Sequence, residues 1–521
     1  MQMMQSLTKG EKAKRLLYNT LLLTAAAMFM RAVGLSFQVY LAEQIGPAGI
    51  GLFQLIASTQ LLAMTIALSG IRFATTRLVS EELGRGNHAA VRHVMRRCFT
   101  HALCFGALAA SLLFFGANWI GTVWIGDARA VLSLRILALS LPAVACLAVM
   151  GGYFTAVSRV VKAASVQVIE HLIRVFIIVG LLTIRAPRDL EEACALIVIG
   201  GVTAELISCS LLFIIYLRDR ARLPHKRDDG DAQYTRRLLR ISVPLAFSAY
   251  ARSGLNTLQQ MLIPRGLRRS GADSEQALAS FGVVQGMALP LILFPSALFS
   301  AIGELIVPEL TAAQVAGDRE KISQLVSKLL RNALCISIGL FGLFWAFSYA
   351  LGAVVYPLNP EVGPFIRILS PLMPIIFLDT ITDGMLKGLG QQVYSMGVNI
   401  VDSLLSVILV YVLLPIFAVS GFIWMLYFTE LFNFFFSLLR ISKITKIRVS
   451  LGDILKPTLA AFAAVQISTA ILRTFGLPLA GSALSVIAHF ALGGGIYVVF
   501  LLVLTRIGSH RHILRGLSMK P

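Results

Sequence analysis

Long apolar runs separated by short polar stretches dominate the chain. A helix that crosses a bilayer needs roughly 20 mainly apolar residues. Runs of that kind start near Asn19, Pro47, Arg97, Val131, Ala163, Ala193, Ile241, Gln276, Leu329, Pro364, Val393, Ser420, Leu455 and Gly481. The pattern predicts an all-α polytopic membrane protein with about fourteen transmembrane helices. Pro290, Pro295 and Pro308 blur the limits of the eighth run. The first run passes Ala25-Ala26-Ala27 and continues to Ile45, far beyond a signal-peptide core, so it reads as a retained first helix.

The polar stretches set the orientation. Of the 46 Lys and Arg residues, 34 lie in alternate segments that include the N-terminus, Arg72 to Arg97, Arg218 to Arg240 and the C-terminus. Nine lie in the other loops and three, Arg31, Arg174 and Arg252, lie within helices. By the positive-inside rule both termini are inside. Arg265, Arg268 and Arg269 are the local exception.

A repeat runs through the helices. Leu134-Arg135-Ile136-Leu137, Pro142, Gly152 and Glu170 recur as Ile366-Arg367-Ile368-Leu369, Pro374, Gly384 and Asp402, each 232 positions later. Gly86-Asn87 matches Gly317-Asp318, Arg31 matches Arg252, and Glu205-Leu206 matches Glu430-Leu431 at slightly smaller offsets. The repeat divides the chain into residues 1–217 (a six-helix lobe), 218–240 (a linker with Asp228-Asp229-Gly230 as its flexible part), 241–440 (a second six-helix lobe) and 441–521 (two further helices and a tail). An even number of helices per repeat gives parallel repeats, with an axis along the membrane normal and a cavity expected between the lobes. A transporter is the class this plan favours.

Composition agrees. Of 521 residues, 57% are hydrophobic and 14% charged, and the mean hydropathy is +0.79. Soluble domains carry about 25% charged residues. The net charge of +20 would suggest nucleic acid in a soluble protein, but here it follows the loops, so a nucleic-acid partner is not expected. The six cysteines show neither zinc spacing nor a disulfide framework. His171 and His489 lack a second ligand at suitable spacing, and no G-x-x-x-x-G-K-[ST] loop is present. Metal, cofactor and ATP hydrolysis are therefore not expected.

Charges inside the helices carry the candidate chemistry, because each costs roughly 2.5–3.5 kcal/mol at mid-bilayer on insertion scales. Arg31 lies 12 residues into its helix, ~18 Å deep at ~1.5 Å per residue, and Arg252 lies 11 residues into the seventh. Neither has an acid three or four positions away. Either Glu205 and Glu430, at similar depth, are their permanent partners, or the arginines form an available cationic site. Glu170 and Arg174 are spaced to neutralise each other, as are Asp383 and Lys387. Asp379 has no such partner and reads either as a cation or proton site or as helix packing. Asp402 is the repeat counterpart of Glu170. Gly493-Gly494-Gly495 permits close helix approach.

Two stretches carry a resemblance. Gly46-Pro47-Ala48-Gly49-Ile50-Gly51-Leu52-Phe53-Gln54 and Ser69-Gly70-Ile71-Arg72-Phe73-Ala74-Thr75-Thr76-Arg77-Leu78-Val79-Ser80-Glu81-Glu82 resemble the stage V sporulation protein B-like polysaccharide-export flippases of the multidrug/oligosaccharidyl-lipid/polysaccharide superfamily. The resemblance covers essentially the whole chain. It implies alternating-access movement of an undecaprenyl-diphosphate-linked oligosaccharide or peptidoglycan precursor across the bacterial cytoplasmic membrane, near cell-wall or polysaccharide synthesis enzymes. In the related lipid II flippase a central cavity is cationic, and Arg31 looks like one of its first-helix arginines. A second arginine expected about two turns later is replaced by Phe37-Gln38, which makes Gln38 a candidate contact. The last two helices would line a groove for the lipid tail. The rivals are a cation-coupled multidrug exporter of the same superfamily, kept open by Asp379, and a membrane-embedded glycosyltransferase or polymerase. The latter needs a large outer loop, and the outer loops are short, so the chain is not expected to be an enzyme.

Overall fold

The structure is a computed structural model that describes residues 9–87, 89–221, 233–476 and 482–517. Those residues form helices and short connections, with no strand among them. Nine of the described helices are long and apolar enough to cross a membrane, or eleven if two bent pairs count as one span each. The protein is a multi-pass membrane protein. Asp228-Asp229-Gly230 of the expected linker lies outside the described residues.

Contacts divide the chain into two compact units, Met1–Val33 with Ala48–Leu278, and Gly34–Pro47 with Ala279–Pro521. The first unit contains α1 Lys9–Leu68 (apart from 34–47), α2 Ile71–Gly84, α3 Ala90–Trp119, α4 Ala130–Ala138, α5 Leu141–Ala156, α6 Val160–Ile184, α7 Leu190–Arg220 and α8 Gln233–Arg269. After α9 Ser274–Phe281 come α10 Leu289–Ile292, α11 Ser296–Val315, α12 Arg319–Ala346, α13 Ser348–Val355, α14 Val362–Leu369, α15 Leu372–Gly388, α16 Gln392–Ile444, α17 Gly452–Thr474 and α18 Ala483–Leu517. The eighth run, blurred by its prolines, is a broken element. A π-helical turn, Gly282–Ala288, joins α9 to α10, and α11 restarts after Pro295.

The two longest helices each hold two of the apolar runs. Helix α1 breaks at Gly46 (φ 66°), followed by Pro47, and α16 breaks at Ala418 (φ 50°), three residues after Pro415. Glycine reaches positive φ without a Cβ clash, and proline cannot donate to the preceding turn. The Gly46-Pro47 stretch thus ends one run and starts the next, and Ile50, Leu52, Leu55 and Ile56 beyond it are fully buried.

The repeat reappears as local geometry in both units. Helices α4 and α5 meet at a 46° bend and α14 and α15 at 55°, at the positions related by 232. Gly86 and Gly317 both have positive φ, 73° and 70°. The residue after each accepts from the amide three positions on, Asn87 from Ala90 and Asp318 from Lys321. Asp318 is the N-cap of α12, and such acceptors at helix starts satisfy otherwise unpaired donors. At Gly152 an added Cβ would come within 2.6 Å of the Arg72 carbonyl oxygen, and at Gly384 within 2.6 Å of that of Gly303. Both glycines let backbones touch.

Helix α8 groups with the first unit, one helix beyond the 218–240 boundary read from the repeat. The contacts along its length give the reason. Arg237 pairs with Glu81 and Glu82 of α2. Thr65 of α1 donates to Ser253, and Thr257 donates to the Ser58 carbonyl, both at 3.1 Å. At the far end Arg265 donates to the carbonyls of Val123 and Trp124, and Arg268 to that of Gly126. Those carbonyls belong to the π-helical end of α3 and its cap, where acceptors lack partners and attract cations. The exception to the charge bias thus has a packing cause.

Candidate functional site

Arg31 is half-buried in α1 and has no ion-pair partner among the described residues. The neighbouring Met30 carbonyl lies beside His171 of α6. Arg252 is exposed on α8, again without an ion pair among the described residues. Gln38 donates its amide to the carbonyl of Gly286, so a π-helical turn holds one end of this candidate contact. Single π-helical turns inside helices are frequently found at functional sites.

Glu205, expected opposite Arg31 or Arg252, belongs to a different constellation. Arg174 bridges two carboxylates, Glu170 on its own helix at 2.7 Å and Glu205 of α7 at 3.1 Å. Gln60 of α1 donates to Glu205 at 3.4 Å. The i,i+4 spacing on α6 brings Glu170 and Arg174 together, and close packing of α6 on α7 brings in Glu205. Gly200 makes that packing possible, since its missing Cβ leaves room for Ile178. Glu205 is buried, and its second oxygen has no hydrogen-bond partner. A cavity of about 570 Å³ opens on this group and is also lined by Arg72 and Gln167. With both carboxylates ionised, one guanidinium leaves one negative charge uncompensated.

The second unit holds a purely acidic counterpart. Asp379 and Asp383 project from α15, Asp402 from the first half of α16 and Glu430 from its second half. Asp379 lies within Coulombic reach of the other three, and Asp402 of Glu430. Ser395 donates to Asp383 at 2.6 Å, and Asn433 donates to Asn399 at 3.0 Å. One oxygen each of Asp379 and Asp402 has no partner. Lys387, spaced to neutralise Asp383, is exposed and forms no ion pair with it among the described residues. No three His, Cys, Asp or Glu residues converge as a metal site among the described residues.

Comparing the two units by register exposes a residue that reading each helix alone had missed. Glu170 corresponds to Asp402 at an offset of 232, and Arg174 at that offset is Ser406, buried on α16. One copy has an arginine at this register position and the other a small hydroxyl. The signal lay in the repeat, applied to Arg174 instead of to the acids.

Residues 16–308, more than half of the chain, match the family model described as polysaccharide biosynthesis protein. The chain belongs to that family. Residues 269–412 also match the MatE model. This family member is 25% identical to stage V sporulation protein B of Bacillus subtilis (strain 168) over 406 residues, 76% of this chain and 77% of that protein. It is 21% identical to the lipid II flippase MurJ of the same organism over 441 residues, 78% and 79% of the two. A solved structure of lipid II flippase MurJ in an inward closed conformation superposes with a TM-score of 0.72 at 14% identity, covering 93% of this chain and 99% of that one. The resemblance read from the Gly46–Gln54 and Ser69–Glu82 stretches holds for the family, and the fold is MurJ-like.

Proposed function

We propose that the protein is an alternating-access flippase that moves an undecaprenyl-diphosphate-linked oligosaccharide or peptidoglycan precursor across the bacterial cytoplasmic membrane. The observation that carries this reading is Arg31. It is a guanidinium within a spanning helix, and the nearest expected carboxylate, Glu205, is held by Arg174 instead. Intramembrane charge without a partner marks a substrate or ion path. A diphosphate carries about two negative charges and accepts bidentate bonds from guanidinium. Arg252, its repeat counterpart, is equally available. The similarity to two flippase and sporulation proteins over about three quarters of the chain supports the lipid-linked class. Nothing in this mechanism makes or breaks a covalent bond, so the protein acts as a carrier and not as an enzyme.

The acidic network of the second unit supplies the coupling charge. Four carboxylates without a cation must hold protons or a bound cation, because ionised acids in an apolar medium are costly. The scatter of the four, without a convergent metal site, favours protons. The same network is the observation that favours the rival, a cation-coupled multidrug exporter. The unpaired arginines weigh against it, since they repel cationic drugs. Removing the gene separates the two. Flippase action makes a diphosphate-linked sugar lipid accumulate in the inner leaflet with drug sensitivity unchanged, whereas increased sensitivity without lipid accumulation would assign the exporter.

A further inference from the structure

The cavity of about 570 Å³ beside Glu205 lies wholly within the first unit. Its polar lining consists of Gln60, Arg72, Gln167, Glu170, Arg174 and Glu205, a set of two guanidiniums, two carboxylates and two amides. The negative charge left over in the Glu170–Arg174–Glu205 group is therefore balanced by Arg72, and the lining as a whole is neutral. A ligand with a net charge of either sign gains little from such a lining. Much of its hydrogen-bonding capacity is unused. Arg72 and Gln167 are exposed, and their side chains bond to no other described residue. Glu205 is buried with one oxygen unpartnered. Carboxylates only accept, guanidiniums only donate and an amide does both. A ligand that satisfies all three presents groups that donate and accept in turn, and hydroxyls do so.

The cavity is a slot. Its lining follows α6 from Ala163 to Arg174, ~16 Å at ~1.5 Å per residue. Ala57, Ala148 and Gly151 keep the opposite walls small, and the volume falls within the ~300–1,000 Å³ range of small-ligand pockets. His171, the residue after Glu170, lies beside the carbonyl of Met30, the residue before Arg31. The slot thus reaches the stretch of α1 that carries the proposed diphosphate anchor, as a sugar joined to that diphosphate requires. We propose, on the carrier reading above, that the slot holds the sugar of the lipid-linked substrate, its hydroxyls bridging Arg72, Gln167 and Glu170 between aliphatic walls. Gln167 and Arg72 then set which headgroup is accepted. A site built to hydrogen-bond hydroxyls discriminates against a ligand that lacks them, because its own polar groups are left unpaired.

Native mass spectrometry separates the sugar from its anchor. The full-length protein is offered equal amounts of undecaprenyl diphosphate and undecaprenyl-diphosphate-linked N-acetylglucosamine. The wild type is expected to retain the sugar-bearing lipid about tenfold better, the range of one or two net hydrogen bonds. Gln167→Ala removes a side chain that holds nothing else in the fold, and about a fivefold loss of that preference is expected. Arg31→Ala weakens both lipids alike, since the diphosphate is common to them. Equal retention of the two lipids by the wild type, or a preference that survives Gln167→Ala, overturns the sugar slot and leaves the carrier reading standing. Retention of neither lipid overturns both. Competition by free N-acetylglucosamine or by tetraphenylphosphonium, as strong as by the sugar-bearing lipid, would assign the slot to a soluble sugar or to an organic cation and overturn the proposal too.

Discussion

Arg31 and Arg174 are both guanidiniums within spanning helices of one unit, and their surroundings differ. Arg174 is the shared cation of Glu170 and Glu205. Replacing it with Ala leaves two carboxylates facing each other in an apolar setting, and losing one partner of a buried pair costs about 3–5 kcal/mol. Arg174→Ala is expected to lower the unfolding temperature of the purified protein, and adding Glu170→Gln and Glu205→Gln is expected to restore it. Arg31→Ala leaves no carboxylate behind, so folding and insertion are expected to be unchanged while transport falls about 10–100-fold. Arg31→Lys recovers part of it, because the charge stays and the bidentate fork does not. Unchanged stability of Arg174→Ala in a thermal melt would contradict this assignment. The Glu170–Arg174 pair was legible in the sequence, since helix spacing alone decides it, whereas for Arg31 spacing excluded only a partner on its own helix and left pairing with Glu205 or Glu430 open. The capture of Glu205 was not, because it lies 31 positions from Arg174 and depends on how closely α6 and α7 pack.

At the scale of the helices, the repeat is the device that generates both units, and its most constrained positions are glycines. Gly384→Ala drives a Cβ onto the backbone of Gly303, and overpacking of this kind costs about 1–3 kcal/mol. Gly494→Ala meets open space and is expected to be neutral or stabilising in the same melt. Of the Gly493-Gly494-Gly495 run, only Gly493 faces a close neighbour, Leu343. Composition identifies such a run as permissive, but which glycine is needed follows from the helix phase. The network on α15 and α16 gives a prediction of opposite sign to that for Arg174. Asp402→Asn removes an uncompensated carboxylate, so stability is maintained or improved while the response of transport to a pH gradient is lost. A transport rate that still follows the gradient in Asp402→Asn would remove this residue from the coupling machinery. The acids themselves were legible as charges in apolar runs. That no ion pair compensates them among the described residues was not, because Lys387 is correctly spaced for Asp383 yet stays exposed and unpaired with it.

Across the whole molecule, hydropathy placed run starts near Pro47 and Ser420, and the helices break beside them at Gly46 and Ala418. It did not resolve the eighth run, which with its three prolines divides into several pieces. The grouping of α8 was not legible at all, because it rests on side chains such as Arg237 and Arg265 that meet partners more than 140 positions away. Orientation is tested by labelling single cysteines in a background without the native ones. The charge bias predicts that an external reagent reaches Glu361→Cys, between α13 and α14, and not Glu320→Cys at the start of α12. The reverse pattern would invert the membrane sidedness of every site.

Carriage of a diphosphate-linked lipid can be observed in reconstituted vesicles. The purified protein is placed in vesicles that hold an undecaprenyl-diphosphate-linked sugar in one leaflet, and arrival of the headgroup in the other is measured with and without a pH gradient. Transfer is expected without ATP, faster with the gradient, and reduced about 10–100-fold in Arg31→Ala, the range for losing a charge-assisted hydrogen bond. Transfer that strictly requires ATP, or that proceeds at the wild-type rate in Arg31→Ala, would contradict it.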